Sequence, residues 1–96
     1  MEWIAKADLH TEDGSNWILN YYLQSYDGED GEKYYGLRID KSTPEGVLEE
    51  SEDTLAITES REEILIMAKA FARGCVPPVT LLEMTDDWYT SSLLPT

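Results

Sequence analysis

Two side chains in this sequence have the reactivity that catalysis recruits most often, a single cysteine, Cys75, and a single histidine, His10. A nucleophilic cysteine works as the thiolate, which a helix N-terminus, a neighbouring cation or a histidine stabilises. Cys75 instead follows the end of a helical segment, where the dipole disfavours negative charge, and Arg73 is the nearest cation in sequence. It therefore reads as a small apolar residue. His10 ends a strand on its polar parity, with neither a nucleophile elbow nor a catalytic-cysteine context around it. An enzyme using His10 or Cys75 is accordingly the remote alternative, and no catalytic or cofactor-binding residue and no cofactor is assigned.

The carboxylates raise a metal question. The run DGEDGE at 27–32 superficially matches a calcium loop, which needs oxygens at positions 1, 3 and 5, glycine at 6 and glutamate at 12. Counted from Asp27, Glu29 fits the third position, but Gly31 occupies the fifth and no glutamate stands at the twelfth. The run reads as a solvated hairpin tip, and no metal ligands are assigned. Glu49, Glu50, Glu52 and Asp53 form a second acidic cluster, and Glu83, Asp86 and Asp87 a third. Their spacing matches a solvated face as well as it matches paired acid–base groups. There is no glycine-rich phosphate loop before a helix, no Cys/His zinc spacing and no basic-aromatic stripe.

The elements that must carry these residues follow from periodicity. Residues 2–11 place Trp3, Ala5, Ala7 and Leu9 on one parity, and residues 17–26 do the same with Trp17, Leu19, Tyr21 and Leu23. Both read as strands, with EDGSN at 12–16 as the turn between them. Residues 34–40 give a third strand after the Asp-Gly turn, with Gly36 marking a bulge or a close backbone approach. The acidic stretch 41–53 reads as a loop with irregular edge pairing near Val47 and Leu48, and TLAIT at 54–58 as a short final strand.

Ser60 with Glu63 fits a capping box. Ile64, Met67, Ala68 and Phe71 then make one helical stripe, and Gly74 is placed to close the helix in the left-handed region. Val76 and Pro77 each precede a proline and are held extended, so GCVPP reads as a stiff elbow. Residues 79–89 read as a shorter helix with Leu81, Met84 and Trp88 on one face. The expected fold is α+β: an antiparallel sheet of three to four strands, then one long and one short helix packed on one face. One domain spans 1–92, with a frayed tail at 93–96.

From Tyr34 to Tyr89 the order YYGLRI, LAIT, SREEILIMAKAFARG, VPPVTLLEM and DDWY resembles a family of small uncharacterised bacterial proteins, domain of unknown function 6514. Val76, Pro78, Leu81, Asp86, Asp87 and Trp88 match its Val-x-Pro joint and acidic-aromatic ending. Thr80 stands where a histidine is expected, so no role of that histidine carries over. The resemblance implies a small αβ protein and supplies no activity.

The chain has 20 acids against 7 bases and a formal net charge of −13. Such a field repels phosphates and anionic membranes and attracts basic partners. It contains no 18-residue apolar run and no secretory signal pattern at MEWIAKADLH, so a cytoplasmic protein is expected. The leading functional expectation is a non-enzymatic interaction or regulatory module with a basic protein partner. Its candidate surface residues are Tyr22, Tyr34, Asp86, Asp87, Trp88 and Tyr89. The alternative is a nucleic-acid mimic that presents its carboxylates to a basic nucleic-acid-binding protein. Either fits a monomer or a homodimer through a sheet edge. Self-repulsion gives a direct expectation: the melting temperature rises as NaCl screens the surface. A lower melting temperature in moderate NaCl than in dilute buffer would contradict it.

Overall fold

A computed structural model describes the backbone of residues 1–93 and the side chains of residues 1–90. Residues 94–96 of the tail expected at 93–96 lie outside the described residues. Four strands, β1 (Glu2–His10), β2 (Asn16–Asp27), β3 (Lys33–Ser42) and β4 (Leu48–Asp53), form one antiparallel meander in sequence order. Helix α1 (Arg61–Arg73), a 3-10 turn (Pro78–Thr80) and helix α2 (Leu81–Leu93) follow. The fold is α+β with both helices on one face of the sheet. The result is a slab 46 × 35 × 17 Å across its Cα atoms, as thin as a sheet and one helix layer require. No described helix is long and apolar enough to cross a membrane.

The core lies between the layers. Leu19, Tyr21, Leu23, Leu37 and Ile39 from the sheet meet Ile64, Met67, Ala68 and Phe71 from α1, with Val76 and Leu81. The α1 stripe expected from the sequence is fully buried, each large side chain contributing about 1.5–3 kcal/mol. Trp17 shares this face, and the Lys41 ammonium sits 4.4 Å above its ring. Met84, Trp88 and Tyr89 of α2 pack against the cluster, Trp88 edge-on to Phe71 with ring centroids 5.9 Å apart.

Five local expectations are corrected. The fourth strand is Leu48–Asp53, within the stretch expected to be a loop, and 54–58 is not a strand. An edge strand needs no apolar alternation, and exposed charges suit it, so the acids concealed it. Beyond Asp53 the chain bows outward. Thr54 N–H bonds Leu37 O at 2.9 Å, and contact resumes only where Tyr35 N–H reaches Thr58 O at 2.7 Å. Leu55 takes φ 61° within the bow, held by its N–H on Asp53 Oδ1 and by the Thr54 hydroxyl on its own carbonyl. That carbonyl oxygen sits 2.0 Å from where a Cβ on Gly36 would lie, which is the close approach the glycine signals.

Second, α2 is not short. Both helices have 13 residues, because TSSL after Tyr89 holds no glycine or proline to stop it.

Third, α1 closes one residue later than expected. Gly74 has φ −90° and Cys75 φ 52°. Cys75 N–H bonds Ala72 O at 3.1 Å and Val76 N–H bonds Phe71 O at 3.0 Å, the paired bonds of a Schellman ending with cysteine in the left-handed position.

Fourth, the capping box is half formed. Glu63 N–H bonds Ser60 Oγ at 3.1 Å, but Ser60 N–H bonds Thr58 Oγ1, while the Glu63 carboxylate lies at the Tyr89 hydroxyl.

Fifth, a bulge between Trp3 and Ala5 shifts the register, so Trp3 pairs with Tyr22 and leaves the face shared by Ala5 and Ala7.

The Tyr21 hydroxyl crosses the core and donates to Val76 O at 2.8 Å. Burial, and then the nearby Cys75 thiol, hold its pKa well above the usual value. Tyr89 is raised likewise, by burial and then by the neighbouring Glu63 carboxylate. An unfolded tyrosine ionises near pH 10, so above that pH the unfolded chain releases protons first and stability falls. Tyr21→Phe is expected to cost about 1–2 kcal/mol at neutral pH and to flatten the alkaline loss, both read from denaturant melts between pH 7 and pH 11. A variant as stable as the parent would refute the bond's role. Gly36→Ala is expected to cost at least about 2 kcal/mol, since the clash is with backbone. A melting temperature within a degree of the parent would refute the close approach.

Candidate interaction surface

The helices cover one side of the sheet, and no described element packs over most of the other. Side-chain alternation builds that open face from the second parity of each strand. Register sets its residues in rows across the sheet. One row is Trp3, Tyr22, Arg38 and Asp53; the next is Lys6, Asn20, Asp40 and Ser51. Asp8, Ile18 and Ser42 continue it towards one end, and Tyr26 with Tyr34 closes it at the other.

Trp3 reaches this face only through the β1 bulge. Its side is 55% exposed, and its indole N–H donates to Asn20 Oδ1 at 3.0 Å. The face is fixed in place by further local bonds. The Arg38 guanidinium donates to Asp40 Oδ1 at 2.7 Å, a bond that raises its pKa and keeps a cation at the centre of the row. The Tyr26 hydroxyl donates to Gln24 Oε1 at 2.7 Å, and Tyr34 donates to Glu32 Oε2 at 2.8 Å. Tyr26 is raised in pKa by burial and then by Asp53, and Tyr34 chiefly by its bond to Glu32, so both present neutral hydroxyls. Amphipathic aromatic rings held by such bonds lose little entropy when a partner covers them.

The six residues expected from the sequence fall on two layers. Tyr22 and Tyr34 lie on the open face. Asp86 and Asp87 are exposed on α2, in the helix layer, and Trp88 and Tyr89 are half-buried against the core. The residues not expected are Trp3, Ile18, Tyr26 and Arg38. Ile18 was visible in the second parity of β2, whereas the bulge hid Trp3.

The acidic clusters do not form one row. The 27–32 acids lie at the hairpin between β2 and β3, the 49–53 acids run along the edge strand β4, and residues 83–87 lie on α2. His10 is exposed, with a ring nitrogen on Asn16 Oδ1. The Cys75 thiol lies 3.5 Å from Asp8 O. Among the described residues no group of three or more His, Cys, Asp or Glu is placed to hold a metal ion. An open depression of about 260 Å³ lies between β4 and the 3-10 turn, lined by Glu50, Ser51, Glu52, Pro78 and Val79.

Comparison with curated proteins gives no match, and comparison with solved structures gives none. A family model does match, and it reaches beyond the segment from Tyr34 to Tyr89 to take in β1 and β2. Over residues 1–91 the chain fits the family of unknown function DUF6514, and it belongs to that family.

Proposed function

We propose that this protein is a non-enzymatic binding module that docks a basic protein partner on its open sheet face. The observation that supports the reading is the row Trp3–Tyr22–Arg38, with Ile18 and Tyr26 beside it, left uncovered on one side of a two-layer slab. Tryptophan, tyrosine and arginine are the residues that dominate binding energy at protein interfaces. The slab face, 46 × 35 Å, is broad enough for the roughly 800 Å² per partner of an ordinary stable interface. The net charge of −13 selects the partner: acids around the aromatic centre steer in a basic surface and slow the approach of an acidic one.

The test places a photo-crosslinking residue at Gln24, on the open face, or at Asp86, on the helix layer, of the full chain in its native cell. One basic protein captured from Gln24 and not from Asp86 is the expected result. Its affinity for the purified chain should fall at least tenfold with Trp3→Ala plus Tyr22→Ala, changes that leave the core intact. Capture from Asp86 alone, or binding indifferent to the double variant, would overturn the reading.

A further inference from the structure

The sheet has two edges, and they differ. At β1 the bulge at Ile4 breaks the ladder, Glu2 is tied to Arg61 at 2.6 Å, and the Asp8 carbonyl already meets the Cys75 thiol. At β4 the strand Leu48–Asp53 is exposed over five of its six residues. Alternate residues of an antiparallel edge turn their N–H and C=O groups away from the sheet, and no described strand pairs with this one on its outer side. Beside it lies the depression of about 260 Å³. Its apolar wall is Pro78 and Val79, the latter 79% exposed. Its other wall carries Glu50 and Glu52. Lys41 approaches Glu50 only at 4.0 Å, and among the described residues Glu49 and Glu52 have no cationic partner.

We propose that β4 receives an extended basic segment of a partner protein as a fifth strand, with one arginine or lysine of that segment seated in the depression. Its aliphatic stem would lie on Pro78 and Val79, and its charge between Glu50 and Glu52. Charge complementarity decides the occupant. A second copy would set LEESED against LEESED, carboxylate opposite carboxylate, and like charges directly across a ladder are destabilising. A basic strand gains at each of those positions. The inference rests on the reading that this chain binds a basic protein, but it uses a different surface from the open face.

The test is an NMR titration of the full ¹⁵N-labelled chain with a peptide of alternating arginine and valine. A control peptide of equal charge has its central valines replaced by proline, which cannot complete a ladder. The expected result is shifts concentrated on Leu48–Asp53 and Val79, with slowed amide exchange in β4. Affinity should be at least tenfold weaker for the proline peptide and for Glu50→Lys plus Glu52→Lys. Equal binding of the two peptides, shifts spread over every acidic turn, or no binding at millimolar peptide would each overturn the proposal. Slowed β4 exchange that depends on protein concentration without peptide would overturn the choice of occupant. Trp3→Ala plus Tyr22→Ala should leave the titration unchanged; loss there would move the site to the open face.

Discussion

The helix layer hangs on one buried bond. Tyr21 stands in the second strand of the sheet with its ring fully buried, and its hydroxyl bonds the Val76 carbonyl where α1 gives way to the prolines. That carbonyl needs a donor, because Pro77 and Pro78 have no N–H to offer and a buried unpaired carbonyl costs about 1–3 kcal/mol. The bond fixes where the elbow meets the sheet. From that point Pro78 starts the 3-10 turn, Leu81 enters the core, and Trp88 meets Phe71. The left-handed Cys75 belongs to the same joint: the Schellman bonds turn the chain, and the tyrosine holds the turn down.

With both helices committed to one side, the other side of the sheet and its outer edge are what the fold leaves for contact. The net charge of −13 is laid over both unevenly. The open face mixes Lys6 and Arg38 with Asp8, Asp40 and Asp53, so aromatic rings set its character. The β4 edge is almost purely anionic. An edge so charged disfavours pairing with its own kind.

Much of the fold was legible in the sequence because the periods are strong. The second strand's alternation and the α1 stripe from Ile64 to Phe71 match the buried positions, and Gly36 announced a backbone contact before any backbone was known to be there. What escaped notice depended on partners remote in sequence. The LEESED strand has no apolar pattern and exists because β3 lies alongside it. Cys75 rather than Gly74 takes the left-handed position because the hydrogen bonds of the helix end, not residue preference, decide the last turn. The Glu63 carboxylate lies by the Tyr89 hydroxyl, 26 positions away in the sequence, in place of its own helix cap. The candidate surface was half legible for the same reason. Tyr22 follows from parity within its own strand, whereas Trp3 depends on a register shift against β2.

That shift makes the bulge, rather than residue identity, a control on the open face. Ile4 is the extra residue that lets Ile4 and Ala5 both serve the core side while Trp3 turns to the other. With every residue kept and the bulge straightened, plain alternation from Ala5 would carry the tryptophan under the helices. The indole would then compete for space with α1, and the row beside Tyr22 would begin with Ile4, so straightening one bulge would exchange an aromatic anchor for an aliphatic one without substituting any side chain.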